Sequence, residues 1–232
     1  MNIPMQNPFP HFFNLLFPKI CVACEDALNE NEEYICLQCL YHLPKTDFHN
    51  ISENEMEKRL WGKVPIKRAT AFFYFKKNSS AQKILHQLKY RGNKEIGELF
   101  GKQLGIELGH SADFRNADVV VPVPLHAKKL RKRGYNQSEW IAKGMAQQWN
   151  KPLDVDNLYR AIENPTQTNK GLYERWENVN DIFKLKDNTA FRDKHVLLVD
   201  DVMTTGATIE ACAKAILQSE NVKISVVTLA IA

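Results

Sequence analysis

The sequence lacks the features by which membrane proteins and the commonest nucleotide-binding proteins are recognised. Its 232 residues contain no run of about 18 apolar residues, the length that a membrane-spanning helix needs. They contain neither the Gly-x-x-x-x-Gly-Lys-Ser/Thr motif of P-loop proteins nor the Gly-x-Gly-x-x-Gly motif of dinucleotide-binding proteins. A membrane span is therefore not expected, and neither nucleotide-binding class has support.

The composition is that of an ordinary globular protein and shows no strong bias toward one kind of partner. Hydrophobic residues make up 44% of the chain and charged residues 25%, which suits a protein with a buried core. The formal net charge of +4 is too small to establish nucleic-acid binding. The apolar N-terminus has no basic leading region and is interrupted by Pro8, Pro10 and Pro18. We therefore expect no signal peptide and a cytoplasmic protein.

Cysteine is scarce, and four of the five cysteines fall within nineteen residues. They form two Cys-x-x-Cys pairs separated by eleven residues: Cys21, Cys24, Cys36 and Cys39. Two such turns can direct four thiolates at one metal ion, so the spacing predicts a structural zinc site with no open position for catalysis. An iron or iron–sulfur site is the alternative, whereas disulfides are disfavoured in the cytoplasm. Cys212 lies in an apolar helical pattern and is predicted to be a core residue.

The chain divides into three predicted regions. Residues 1–45 hold the cysteine pairs and are too short to build a core without metal. Residues 46–64 are polar and read as a connector with one short helix, and residues 65–232 read as one α/β domain. In that domain predicted strands (69–75, 118–123, 158–162, 196–199 and 223–231) alternate with helices, which favours a mainly parallel central sheet flanked by helices. Helices are predicted to open at Ser79 and Ser138, to cover 96–104, and to begin near Ile209. Pro122 should end its strand early, at about Val121.

The most informative segment begins with the apolar run Val196–Val199 and ends in a helix. Between them lie two adjacent carboxylates, Asp200 and Asp201, and then the small, hydroxyl-rich sequence VMTTGAT. The N–H groups at a helix N-terminus bind phosphate, whereas two carboxylates would repel it. A sugar phosphate resolves this conflict, because its hydroxyls can donate to the carboxylates. The predicted site comprises Asp200, Asp201, Met203, Thr204, Thr205, Gly206, Ala207 and Thr208.

This segment resembles the phosphoribosyl-pyrophosphate (PRPP) signature of type I phosphoribosyltransferases. The resemblance implies that the acidic pair, Asp200 and Asp201, holds the 2′- and 3′-hydroxyls of the ribose. It also implies that the Thr-Thr-Gly-x-Thr loop wraps the 5′-phosphate.

A basic run follows the strand predicted at 118–123, on the side of the sheet where open α/β proteins bind ligands. Five cations fall within six residues, and we expect them to face a polyanion such as pyrophosphate or a nucleic-acid backbone. The alternative is a solvated basic face without a ligand. The predicted polyanion set is Lys128, Lys129, Arg131, Lys132, Arg133, Gly134, Tyr135, Asn136 and Gln137.

A long polar stretch, residues 164–179, has no apolar period. Such stretches are often active-site lids, and a transferase with an oxocarbenium-like centre needs to exclude water. Arg175, with Lys170 nearby, would then bring positive charge to a leaving pyrophosphate. A surface loop without a role is an equal alternative.

Taken together, the motifs resemble those of the ComF family. Its members, which include competence protein F, are amidophosphoribosyltransferase-like proteins linked to bacterial DNA uptake. The resemblance rests on the cysteine pairs and the PRPP signature, and on the motifs KYRG (89–92), VPVPLH (121–126), RGYNQSE (133–139), PTQT (165–168), Arg175 and Asn178-Val179. It implies a zinc ribbon followed by a type I phosphoribosyltransferase fold. It places Arg133–Gln137 beside the pyrophosphate, with Mg²⁺ bound together with PRPP.

The predicted function is therefore that of a PRPP-binding ComF-type protein that supports DNA uptake, together with other competence proteins. Phosphoribosyl transfer is the implied chemistry, with Arg133 and Arg175 as candidate catalytic residues; no general base and no acceptor pocket can be identified. The alternative is a non-catalytic accessory protein that binds single-stranded DNA and uses PRPP as a regulatory ligand. Tyr135 and Trp140 would then offer stacking surfaces for bases.

Overall fold

The computed structural model describes residues 18–161 and 182–232. Its strands are β1 (Arg68–Tyr74), β2 (Val119–Pro122), β3 (Leu158–Arg160), β4 (Phe183–Leu185), β5 (His195–Met203) and β6 (Lys223–Ile231). Its α-helices are α1 (Leu37–Tyr41), α2 (Glu55–Leu60), α3 (Ser80–Tyr90), α4 (Glu95–Glu107), α5 (Ala112–Arg115), α6 (Ala127–Arg133), α7 (Gln137–Trp149) and α8 (Ala207–Ile216). Short 3-10 helices cover Phe48–Asn50 and Leu108–His110. Within these two described ranges, no helix combines the length and apolarity that crossing a membrane requires.

The central sheet has the strand order β1-β6-β5-β2, and every neighbouring pair is parallel. Its two middle strands are almost continuously buried because helices cover both faces of the sheet. Phe72, Phe100 and Met145 belong to the core on one face, and Leu198 and Ile216 belong to the core on the other. The predicted α/β class with a mainly parallel sheet is confirmed.

Helices α4 and α7 touch at two glycines on the first face of the sheet. A Cβ atom at Gly101 would lie 2.1 Å from the carbonyl oxygen of Ile141, and one at Gly144 would lie 2.2 Å from that of Glu98. Only glycine permits this approach of two backbones. The contact holds α7 close to the sheet, where its first residues reach the end of β5.

Residues 44–64 are part of the core packing of the α/β domain. Lys45 pairs with Phe73 as an antiparallel bridge, which covers the outer edge of β1. Phe48, Met56 and Leu60 are buried in the core on the second face. This segment also carries α2 to the carboxyl end of the sheet, where it contacts the loop after β5.

Several predicted boundaries agree with the structure to within a residue. β1 is shifted by one residue from 69–75, and β6 covers the predicted 223–231. Ser79 is the N-cap of α3, because its side chain accepts a hydrogen bond from the backbone N–H of Gln82. Pro122 is the last residue of β2, where its missing N–H interrupts no further pairing.

Other local predictions were wrong. The signature strand does not stop before the acidic pair, because β5 continues through both aspartates to Met203 and pairs there with β6. β3 is not in the parallel sheet; it forms a separate antiparallel ribbon with β4, a three-residue strand that was not predicted. α7 begins at Gln137, one residue before the predicted start at Ser138, and Asn136 is its N-cap. α8 begins at Ala207 rather than near Ile209.

Candidate functional site

The acidic pair lies near the carboxyl end of β5, in the middle of the sheet. Asp200 is only 8% exposed, and its Oδ1 accepts hydrogen bonds from the Ser138 hydroxyl and from the backbone N–H of Asp201, each at 2.8 Å. Ser138 was predicted only as a helix start, so this role was missed. The contact fixes the orientation of the Asp200 carboxyl before any ligand arrives.

The two carboxyl groups of the acidic pair have different electrostatic surroundings. Burial, followed by the neighbouring charge of Asp201, raises the pKa of Asp200 to about 7 against the lowering effects of Ser138, the Asp201 N–H and Lys89. Asp201 instead forms an ion pair, with its Oδ2 lying 2.9 Å from the Nζ of Lys89. The pair therefore offers one carboxyl that carries a proton up to nearly neutral pH and one carboxylate held by a cation.

The loop after β5 exposes the groups that the sequence assigned to phosphate binding. Thr204, Thr205, Ala207 and Thr208 are exposed, whereas Met203 and Gly206 are buried. Gly206 is the N-cap of the ten-residue helix α8 and has a φ of 84°. A Cβ atom there would lie 2.9 Å from Met203 Cε and 3.1 Å from Leu60 Cδ2. Glycine is required at this position both for its backbone angle and for its space.

Two cations from the α2 segment orient this loop, and neither was predicted from the sequence. The Nη1 of Arg59 donates to the carbonyl oxygens of Thr204 at 2.5 Å and Ala232 at 2.6 Å. Lys63 Nζ lies 3.3 Å from the carbonyl oxygen of Thr205. Because a trans peptide points its C=O and N–H in opposite directions, these bonds turn the N–H groups of Thr205 and Gly206 away from the two cations.

The predicted basic run forms helix α6, in which no residue is buried. Lys128, Lys129, Arg131 and Lys132 are exposed. Arg133 is half-buried; its Nη1 donates to the Oε1 of Gln137 at 2.7 Å, and its guanidinium lies 5.4 Å from the ring centroid of Tyr90. The helix therefore presents four cations to solvent and turns the fifth toward the end of α3.

The residues that follow α6 are engaged with the protein itself. Gly134 ends the helix with a φ of 81°. Tyr135 is 8% exposed, and its hydroxyl donates to the Leu88 carbonyl. Asn136 caps α7 and donates from Nδ2 to the Val123 carbonyl at 3.0 Å, and Gln137 is also buried. These side chains shape the loop after β2 and are already occupied by internal contacts.

The two aromatic stacking candidates differ in their surroundings. Tyr135 has little exposed surface, as described above. Trp140 is partly exposed, with the ammonium groups of Lys94 and Lys143 at 4.7 Å and 4.3 Å from its ring. Arg175, Lys170 and the whole polar stretch 164–179 lie outside the described residues.

The four clustered cysteines converge as the spacing predicts. Their sulfur atoms all lie within 4.8 Å of one another, and the sulfurs of Cys24 and Cys36 are 3.8 Å apart. The backbone N–H groups of Ala23 and Cys36 each lie 3.4 Å from the Cys21 sulfur. The N–H of Cys39 donates to the sulfur of Cys36, the N-cap of α1. Such donors favour thiolate, so the cluster fits a four-thiolate metal.

The thiols of this cluster have unequal proton affinities. Burial alone would raise the pKa of Cys21, but N–H donors from Cys24, Cys36 and Ala23 outweigh it and lower the value to about 7. Burial, followed by contact with the Cys36 sulfur, raises the pKa of Cys39. Cys212 is remote in the fold and fully buried in the core, as predicted.

Comparison with known proteins identifies the region that contains the acidic pair and its loop. Residues 135–232 match the phosphoribosyl transferase domain. This part of the chain is therefore similar to a phosphoribosyl transferase domain. It includes α7, β5, the acidic pair and the loop after β5, whereas Lys89, Arg59 and the cysteine cluster precede it.

Relatives extend the likeness over most of the chain. The DNA utilization protein YhgH of Escherichia coli (strain K12) is 26% identical over 203 residues, which is 86% of this chain and 85% of that protein. The competence protein ComFC of Bacillus subtilis (strain 168) is 25% identical over 86% of this chain and 78% of that protein. The match to a purine phosphoribosyltransferase structure from Pyrococcus horikoshii covers 62% of this chain and 76% of that protein's chain. The sequence identity is 16% and the TM-score is 0.35. The domain match and these relatives support the predicted similarity to ComF-type phosphoribosyltransferase proteins.

Proposed function

We propose that this phosphoribosyl transferase domain binds PRPP at the end of β5. The observation that carries the proposal is the acidic pair, Asp200 and Asp201, directly ahead of an exposed hydroxyl-rich loop at the N-terminus of α8. Carboxylates suit the ribose hydroxyls, and the helix N-terminus suits the 5′-phosphate. An unphosphorylated sugar would leave the helix N-terminus without a ligand. A simple phosphate would be repelled by the acidic pair.

Different residues of the site bind different parts of the ligand. Asp200 and Asp201 hold the two ribose hydroxyls, and the hydroxyls of Thr204, Thr205 and Thr208 donate to the 5′-phosphate. The backbone N–H groups that Arg59 and Lys63 turn away from themselves complete the phosphate cradle. Because these groups are positioned before binding, little ordering is needed when the ligand arrives.

The pyrophosphate end is assigned to the loop after β2 and to helix α6. Arg133 lies where α6 returns to the end of α3, and the exposed cations of α6 extend the positive surface. A magnesium ion bound together with PRPP would offset part of the ligand's negative charge. The protein groups would keep the ligand in one orientation around it.

Transfer chemistry at this site would rest on positioning and charge stabilisation. An acceptor would form a bond to the ribose C1 while the bond from C1 to the pyrophosphate oxygen breaks, and the pyrophosphate leaves with that electron pair. Arg133, together with Arg175 from the polar stretch 164–179, would stabilise the charge on the leaving group. In the cell we assign this activity to the cytoplasm and to the support of DNA uptake alongside other competence proteins.

The test of this function is a calorimetric titration of the wild-type protein with PRPP and Mg²⁺, followed by a screen for pyrophosphate release with a panel of bases. Saturable PRPP binding that is stronger than binding of ribose 5-phosphate or of pyrophosphate alone supports the proposal. No heat of binding and no protection from thermal unfolding by PRPP would overturn it.

A second function, binding of single-stranded DNA, is favoured by one observation. Lys128, Lys129, Arg131 and Lys132 are exposed on one seven-residue helix. Reversal of Lys128 and Lys129 to Glu should reduce the salt dependence of binding by a slope of about 0.7 for each lost phosphate contact. The matched control is reversal of the exposed Lys76 and Lys77, which changes the net charge equally. Equal losses in the two variants, or no wild-type binding at low salt, would contradict a DNA site on α6.

A further inference from the structure

The KYRG motif, Lys89–Gly92, lies at the end of α3 and has no part in the function proposed so far. It precedes the phosphoribosyl transferase domain match in the sequence, yet the fold brings its first residue to the acidic pair. We infer that Lys89 is a positioning residue that orients the Asp201 carboxylate for recognition of the ribose hydroxyls. This inference rests on the proposed PRPP site and deepens it.

The first support is the ion pair itself. Lys89 Nζ lies 2.9 Å from Asp201 Oδ2, and the two side chains are 23% and 15% exposed. A pair this sheltered from solvent is screened less than a surface pair. Because Lys89 engages Oδ2, the carboxylate is held in one rotation that leaves Oδ1 to accept from a ribose hydroxyl.

The second support is the way in which the end of α3 is fixed. Leu88 is fully buried, and its carbonyl accepts the hydroxyl of Tyr135 from the loop after α6. The residue immediately before Lys89 is thus anchored by both its side chain and its backbone. Because its backbone is already fixed, Lys89 loses less conformational entropy when it binds a carboxylate.

The third support is the neighbouring residue. Tyr90 carries the guanidinium of Arg133 at 5.4 Å from its ring centroid. One turn of α3 therefore contacts the ribose side of the proposed site through Lys89 and the pyrophosphate side through Tyr90. This arrangement explains why a motif outside the matched domain belongs to the same site.

Charge gives Lys89 a second effect on ligand binding. Asp200 and Asp201 are adjacent in β5, and PRPP brings several negative charges toward them. Lys89 supplies a cation at this point and reduces the repulsion between the acidic pair and the phosphates. Its removal should therefore weaken the binding of a ribose phosphate more than that of pyrophosphate, which does not need the acidic pair.

The experiment compares Lys89→Met and Lys89→Arg with the control Lys83→Met. Lys83 lies on the same helix, and its ion pair with Glu25 at 3.0 Å is exposed. Affinities are measured for PRPP with Mg²⁺, pyrophosphate with Mg²⁺, ribose 5-phosphate and 2-deoxyribose 5-phosphate. The last two ligands report recognition of a single hydroxyl, which a merely structural role would not change selectively.

Loss of one charge-assisted contact should lower the PRPP affinity of Lys89→Met by about tenfold or more. The same variant should lose discrimination between ribose and deoxyribose phosphates, and its loss of pyrophosphate affinity should be smaller than its loss of PRPP affinity. Lys89→Arg should restore most of the discrimination, and Lys83→Met should behave as the wild type.

Three results would overturn the inference, and they are distinguishable. If the wild type binds PRPP and Lys89→Met retains the same affinity and discrimination, Lys89 has no positioning role although the proposed function stands. If Lys89→Met weakens all four ligands equally, the role is structural. A wild type that binds none of the ligands overturns the proposed function and this role with it.

Discussion

The phosphate loop and the cysteine cluster reach their geometry in different ways. The loop follows a fully packed strand and is held by tertiary contacts, such as those from Arg59 and Lys63 to its carbonyl groups. The cluster is built from short turns, with N–H donors to sulfur and few buried side chains of its own. The loop is therefore ordered by the α/β core, whereas we propose that the cluster needs a metal to complete it.

The largest expected effect is the loss of metal from the cysteine cluster. We expect about one zinc ion per chain, and Cys36→Ser should lower both the metal content and the melting temperature, because structural zinc contributes on the order of 10–16 kcal/mol in small peptides. Elemental analysis and thermal unfolding provide the measurements.

The control for that prediction is Cys212→Ala, which removes a buried core thiol far from the cluster. It should keep the full metal content. If the wild-type protein is colourless, contains no metal and is as stable as it is after zinc is added, the cluster needs no metal.

A smaller effect is expected from the loop, where the core rather than a metal fixes the backbone. Gly206→Ala should destabilise the protein by about 2–3 kcal/mol, because the new Cβ adds a steric clash to a left-handed backbone. The clash is with Met203 Cε at 2.9 Å and Leu60 Cδ2 at 3.1 Å. Denaturant unfolding measures the change.

Gly62→Ala is the matched control, since Gly62 has a φ of +70° and no atom within 4 Å of its added Cβ. It should cost only the backbone strain of about 1–2 kcal/mol. If the two variants are equally stable, the packing around Gly206 does not constrain the loop.

The third effect concerns the protonation of Asp200. Its pKa is raised from 3.8 to about 7, so the folded state binds a proton that the unfolded state has released between these values. Stability should therefore fall as the pH rises from about 4 to about 7. Asp200→Asn should flatten this fall in urea unfolding measured across the same range. An identical pH profile in the variant would mean that Asp200 does not titrate in this way.

The sequence predicted the parts of the site that depend on neighbours along the chain. The acidic pair, Thr204–Thr208 and the cysteine spacing are local patterns, and each imposes a recognisable chemistry. The course of β5 was less predictable, because the aspartates look like a strand end although β6 continues to pair with them. β4 was missed since its three residues, Phe183–Leu185, give too short a pattern.

The remaining site residues come from distant parts of the chain. Lys89, Ser138 and Arg59 reach the end of β5 only because of helix packing, and no spacing in the sequence encodes those contacts. The KYRG motif is the only sequence signal for Lys89, and the family resemblance assigns no role to it. Burial of Tyr135 likewise follows from its contact with Leu88 rather than from its basic surroundings.

The central claim is that the acidic pair recognises ribose in PRPP. Calorimetry of the double variant Asp200→Asn, Asp201→Asn above pH 7, where Asp200 is ionised in the wild type, tests it most directly, with pyrophosphate as the control ligand. Loss of two charge-assisted hydrogen bonds, each contributing about 1.5–3 kcal/mol, should weaken PRPP binding by at least roughly tenfold. Pyrophosphate should bind the double variant no more weakly than it binds the wild type, because two repelling carboxylates have been removed. Unchanged PRPP affinity in the double variant, or no binding by the wild type with Mg²⁺ present, would contradict the claim.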